Sequence, residues 1–257
     1  MSNLFGNLKS DGLEESKDRL GGGGGPRESD IYTGKIKYAY AGKSEGGALS
    51  VTVAFTDGEG RDYRETLWVT NKNGENFFLN KQDNTKKVPL PGFTIVEDIC
   101  LIVTGKPLAE QDIEEKVFNI YDFDAGKEIP KSVDALVELT GQEISFGIMK
   151  VLENKSVKDD NTGKYEPTAE EVERNNIDKV FHTETKMTVA EARNGQEEGG
   201  FWDKWVEKNK GEGKFKDNRK YKAGAAGKAG KPAAAGAPKA SAPAAAAGTP
   251  KKLFGNK

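Results

Sequence analysis

The run RDYRETLWVTN (Arg61–Asn71) alternates: Tyr63, Leu67 and Val69 fall on one face of a strand, and Arg64, Thr66, Trp68 and Thr70 on the other. An indole among arginine and threonine is out of character for a core tryptophan. It suits a surface where flat rings stack on a ligand while a cation meets an anion. The preceding run IYTGKIKYAYAG (Ile31–Gly42) places Lys35 and Lys37 on one side and Tyr38 and Tyr40 on the other, unless a bulge shifts the phase. The stretch that follows, NKNGENFFLNKQDNTKKVPLPGF, interleaves Phe77 and Phe78 with Lys72, Lys81, Lys86 and Lys87. Rings beside ammonium groups are what a single-strand binder needs: bases stack at about 1–3 kcal/mol each, and cations follow the phosphates. Trp68 with Tyr38, Tyr40, Phe77 or Phe78 would stack, and Lys35, Lys37, Arg64, Lys72 and Lys81 would meet phosphate. The competing reading is that Tyr38, Tyr40, Phe77 and Phe78 simply fill a core.

Other chemistry finds little support. AGKS (Ala41–Ser44) suggests a phosphate loop, but Lys37 stands where that loop needs glycine, and a strand follows instead of a helix. His182 is the only histidine and has no recognisable nucleophile near it in sequence. Cys100, the only cysteine, lies in the apolar run IVEDICLIV and reads as a buried, inert thiol. One Cys and one His exclude a zinc site built from those ligands and any intramolecular disulfide. The acid pairs Asp122/Asp124 and Asp159/Asp160 read as solvated turns. The expectation is a non-enzymatic protein without cofactor or metal.

Charge is divided along the chain. From Asp203 onward there are 14 Lys+Arg and 4 Asp+Glu, whereas the remainder holds 25 and 37, so an acidic body carries a basic tail. No run of about 18 apolar residues exists, and the first residues lack a secretory h-region, so an intracellular soluble protein is expected.

The elements that would position these residues are mostly strands. Ile31–Gly42, Gly47–Asp57 and Arg61–Asn71 form a meander with short Gly-containing turns, and Leu49, Val51, Val53 and Phe55 share one face of the middle run. A long polar excursion, not a strand, follows. Then comes a helix over Thr94–Gly105, with Thr94 and Glu97 as a capping box and Gly105 as the stop. Glu115–Phe123 reads as a strand, Ser132–Gly141 as a short helix or turn, and Gln142–Asn154 and Ile177–Thr185 as two later strands, with an acidic loop over 155–176 between them. This order predicts a mainly β fold, a five-stranded Greek-key OB-fold-like barrel with a connecting helix and long loops. An ordinary β-sandwich is the alternative. The domain division is a flexible N-terminal arm over 1–30, the nucleic-acid-binding domain over 31–192, a charged linker over 193–222 and a disordered Ala/Gly/Pro/Lys tail over 223–257. FWDKWVEK, within the linker, could dock on the body as an amphipathic turn.

The segments YTGKIKYAYAGKSEGGALSVTV, RETLWVTNKNGENFF with LPGF, and IDKVFHTETKMTVAEA resemble the single-stranded DNA-binding proteins of tailed bacteriophages. The resemblance covers about Leu4 to Ala192. It implies an OB fold that coats replication or recombination intermediates in the cytoplasm of the infected host, without a cofactor. Its partners would be single-stranded DNA, replication or recombination proteins of the phage, and further copies of itself. Such proteins commonly end in an acidic tail; this chain ends basic, so the tail mechanism does not carry over. One short word is spelled at both ends, NLFGNLK (Asn3–Lys9) and KKLFGNK (Lys251–Lys257), and Leu253 with Phe254 reads as a docking hook. A histone-like duplex-coating protein acting through the tail, and a structural phage assembly protein, are the rival readings.

Overall fold

The computed structural model of the chain describes residues 25–122, 124–159, 163, 165–211 and 213–221. Strands dominate it. β1 (Asp30–Lys43), β2 (Leu49–Asp57) and β3 (Asp62–Trp68) form the expected antiparallel meander. β4 (Phe77–Leu79) and β5 (Lys87–Pro89) pair as a separate two-stranded sheet within the excursion that the sequence marked as strandless. Helix α1 (Pro91–Val103) follows, then β6 (Ile113–Asp122), β7 (Lys127–Leu136), β8 (Glu143–Lys158) and β9 (Tyr165–Phe181). Short helices α2 (Val189–Arg193) and α3 (Phe201–Asn209) precede β10 (Lys216–Asp217).

β1 is the centre of an eight-stranded sheet. β2 runs along one edge of it, while β8 and β7 share the other in tandem: β8 pairs with Asp30–Lys35, and β7 touches the ladder at Tyr40–Ala135. β3 flanks β2, β9 flanks β8, and β10 pairs alongside β8 in parallel. The inner face closes over α1. Ile36, Val53, Phe55, Ile144, Phe146 and Ile148 meet Val96, Ile99 and Cys100 in the main core, with Phe55 and Phe146 edge to face at 4.9 Å. Burial pushes the Cys100 thiol well above its ordinary pKa, which keeps it protonated and inert.

The sheet is not closed into a barrel. Among the described residues no ladder joins β3 to β9, and side chains span the seam instead. Tyr63 Oη donates to the Asn175 carbonyl at 2.9 Å, and the Ile177 N–H donates to Glu65 Oε2 at 2.7 Å. Arg27 fills the seam's end: its guanidinium pairs with buried Asp57, donates to the Arg61 carbonyl at 2.7 Å and lies over the Tyr32 ring at 4.9 Å. Burial alone would raise Asp57, but backbone N–H groups of Arg61 and Glu59 together with Arg27 outweigh it and hold the carboxyl low.

Several sequence expectations are corrected. The five-strand count is too small, because Lys155–Lys158 and Tyr165–Asn176, within the segment read as a loop, belong to β8 and β9, and the first half of Ser132–Gly141, read as a short helix or turn, lies in β7, with only Val137–Leu139 forming a 3-10 turn. The hairpin reads as loop because many of its side chains face water, so no apolar alternation is needed. α1 starts at Pro91, not at a Thr94 cap; the Thr94 hydroxyl bonds back to the Leu90 carbonyl, and a capping box is formed instead by Thr188 with Glu191 on α2. Gly105 ends α1 at positive φ as expected. FWDKWVEK does dock: α3 buries Trp205, whose indole N–H donates to Asp178 at 2.8 Å. Among the described residues no helix is long and apolar enough to cross a membrane.

Candidate nucleic-acid interface

The outer face of the meander is set by register. Tyr38 aligns with Ala54 and Arg64, Tyr40 with Thr52 and Thr66, and Gly42 with Ser50 and Trp68. A β-bulge between Ile36 and Tyr38 makes this possible. Ile36 and Ala39 both point into the main core, so the extra residue, Lys37, lets Tyr38 and Tyr40 turn outward onto the face that carries Arg64 and Trp68.

Trp68 is 48% exposed at the end of β3. Its backbone is held from two sides. It pairs with Ser50 across the ladder, and Gly92 in the first turn of α1 lies against its peptide group so closely that a Cβ there would collide with the Trp68 carbonyl oxygen. The indole is therefore presented on a fixed backbone. Beside it on the same strand, Thr66 shares a 2.9 Å hydroxyl hydrogen bond with Thr52, and Arg64 donates to the Tyr121 carbonyl at 3.2 Å.

Tyr38 does not belong to the stacking set. It is only 7% exposed, because the β6–β7 hairpin folds over the outer face and stacks Phe118 on its ring at 5.2 Å, with Ile120 and Val133 alongside. Here the core-filling reading wins. Tyr40, half-buried, borders a groove of about 340 Å³ between the meander and the hairpin, with Thr52, Arg64, Thr66, Lys131 and the Tyr121 carbonyl around it. Lys131 and the Tyr121 backbone were missed in the sequence. Their signal was the alternation of Phe118 and Ile120 in EKVFNIYDF, which marks a strand with one covered face.

The cations differ in freedom. Lys35 is exposed. Lys37 is exposed too, but its ammonium binds Asp62 at 2.6 Å; that bond raises the lysine. Burial would raise Asp62, yet the bonds from Lys37 and Thr56 hold it low, so both partners are charged at neutral pH. Lys131 pairs with Asp122 at 2.7 Å on the groove wall. Phe77, Phe78, Lys72 and Lys81 lie off the meander face, in or beside the β4–β5 sheet: Phe77 is half-buried beneath the Lys87 ammonium at 4.3 Å, while Phe78, Lys72 and Lys81 are exposed. The structure thus gathers Tyr40, Arg64 and Trp68 on one face, sets Lys35 and Lys37 at its end, and puts the phenylalanines on another sheet. Leu253 and Phe254 lie outside the described residues.

The arrangement can hold a planar ring on Trp68 and an anion at Arg64. It is not a strongly positive trough, since residues 110–143, which include the covering hairpin, hold ten acidic and three basic residues. No protein-family model matches this chain, and no curated protein matches it either.

Proposed function

We propose that the protein binds single-stranded DNA without marked sequence preference, on the outer face of β1–β3, through an OB-like arrangement in which the seam is left open. The carrying observation is Trp68, half-exposed on a rigid edge strand in the same face as Arg64 and Tyr40. A base stacks on the indole, the guanidinium and Lys35 meet flanking phosphates, and Lys37 joins them when phosphate replaces Asp62. The resemblance to phage single-stranded DNA-binding proteins supports a role in replication or recombination, in the cytoplasm of an infected host, with the protein acting as a coat and not as an enzyme. The acidic wall makes the grip dependent on stacking and sensitive to salt: three phosphate contacts correspond to a log–log slope of about −2 for single strands.

A fluorescence titration with oligo-dT and with duplex tests the reading. Trp68 emission should quench with oligo-dT and hardly change with duplex, and Trp68→Ala should weaken oligo-dT binding roughly 5- to 150-fold, equivalent to the 1–3 kcal/mol of one stack. Unchanged affinity in that variant overturns the proposal. Binding to either form that disappears on removal of residues 223–257 would instead identify a duplex-coating tail.

A further inference from the structure

The β6–β7 hairpin has a second face. Phe118, Ile120 and Val133 pack on the meander, so the two-residue period turns Ile113, Glu115, Val117, Asn119 and Tyr121 the other way. The ladder sets Glu115 beside Asp134 and Tyr121 beside Glu128 on that outer side. Three large apolar side chains are partly exposed there: Ile113 is 56%, Val117 66% and Tyr121 43% exposed. The charged residues of this face are Glu115, Glu128 and Asp134, all of them acidic. An apolar stripe on a carboxylate background is a poor solvent surface and a good receptor for a short segment that is both bulky and cationic.

The chain contains such a segment. KKLFGNK (Lys251–Lys257) puts Leu253 and Phe254 between lysines, and Lys222–Lys257 holds seven lysines and no acid. We propose that the chain's own C-terminal word docks on the outer face of the β6–β7 hairpin. Leu253 and Phe254 cover Ile113, Val117 and Tyr121, while Lys251 and Lys252 face Glu115, Glu128 and Asp134. Charge selects this copy of the word over NLFGNLK, which is followed at once by Asp11, Glu14 and Glu15. Reach permits it. The backbone N–H of Tyr221 is fastened to Asn154 Oδ1 at 2.8 Å, and the residues from there to Leu253 span up to about 110 Å when extended. Tethering selects the chain's own copy over a neighbour's, because a linked segment acts at an effective concentration of the order of millimolar while separate chains meet at micromolar. None of this depends on nucleic acid, so it stands or falls apart from the DNA reading.

The test is zero-length carbodiimide coupling of lysine to carboxylate in the full-length protein, at micromolar concentration and low salt, using an equal mixture of ¹⁴N- and ¹⁵N-labelled chains. Lys251, Lys252 or Lys257 should couple to Glu115, Glu128 or Asp134 within single-isotope products. Their yield should be at least fivefold above that of Lys228, Lys231 and Lys239, which share the tail but not the word. The double variant Leu253→Ser, Phe254→Ser, which alters no residue of the folded body, should reduce the yield to that of the internal lysines. Equal coupling of all tail lysines, a yield unchanged in the double variant, or products mainly of mixed isotope would each overturn the proposal.

Discussion

Trp68 and Tyr38 stand on one face of one sheet, yet replacing them should have opposite consequences. Trp68→Ala removes a half-exposed ring and should cost ligand affinity while leaving stability within about 0.5 kcal/mol. Tyr38→Ala empties a site stacked against Phe118 and beside Tyr40, so urea unfolding should show a loss of roughly 2–4 kcal/mol, with DNA affinity per folded molecule little changed. Asp98 gives a prediction in pH. Burial pushes its carboxyl up to about 6, against the pull of Lys179 and Arg193. A carboxyl raised in the folded state binds its proton more tightly there than in the unfolded chain. The stability it confers is complete below the unfolded pKa, near 4, and is lost as pH rises through about 6. Asp98→Asn should therefore be more stable than the parent at pH 8, by on the order of 2 kcal/mol, with the difference shrinking toward pH 4. A gap that does not change between those two pH values would refute it.

At the scale of elements, what could be read in advance was what local alternation encodes. Val51, Val53 and Phe55 mark β2, and the same pattern put Trp68 on the polar side of β3, where it stands. The bulge at Lys37 could be named but not placed, because its location depends on the strand across the ladder. Pro130 and flanking charges disguised β7, and the outer half of the β8–β9 hairpin has too few residues to bury for any apolar period to appear. The cover over Tyr38 could not be seen at all: which side of a sheet receives a hairpin is decided by packing between segments some 80 residues apart in sequence. α1 teaches the same lesson at its start, since the Thr94–Glu97 box was locally sound but Pro91 begins the helix one turn earlier. That first turn couples helix to site. Gly92→Ala should collide with the Trp68 peptide, cost on the order of 1–3 kcal/mol in thermal or urea unfolding, and shift tryptophan emission at the same time. A stability loss without an emission change would show that the helix end moves and the strand does not.

For the whole molecule, the decisive feature is a roll that side chains fasten where a ladder would be expected. Arg27 and Asp57 are both almost fully buried, so Arg27→Met leaves a carboxylate without its counter-charge and should cost about 3–5 kcal/mol in urea unfolding. The double variant Arg27→Met, Asp57→Leu should recover much of that, which separates an uncompensated charge from lost packing. The attachments at the two ends of the described body carry one more consequence. Residue 27 is bonded through its backbone to Asn175 of β9, and residue 221 to Asn154 of β8, which lies across from Glu171. Asn175 and Glu171 are four positions apart on the same side of one strand, so entry and exit lie on the order of 15 Å from each other. A short Gly-Ser bridge from residue 221 to residue 27, replacing the segments beyond them, could therefore give a circular permutant opened at the Ser44–Gly47 turn with the same core.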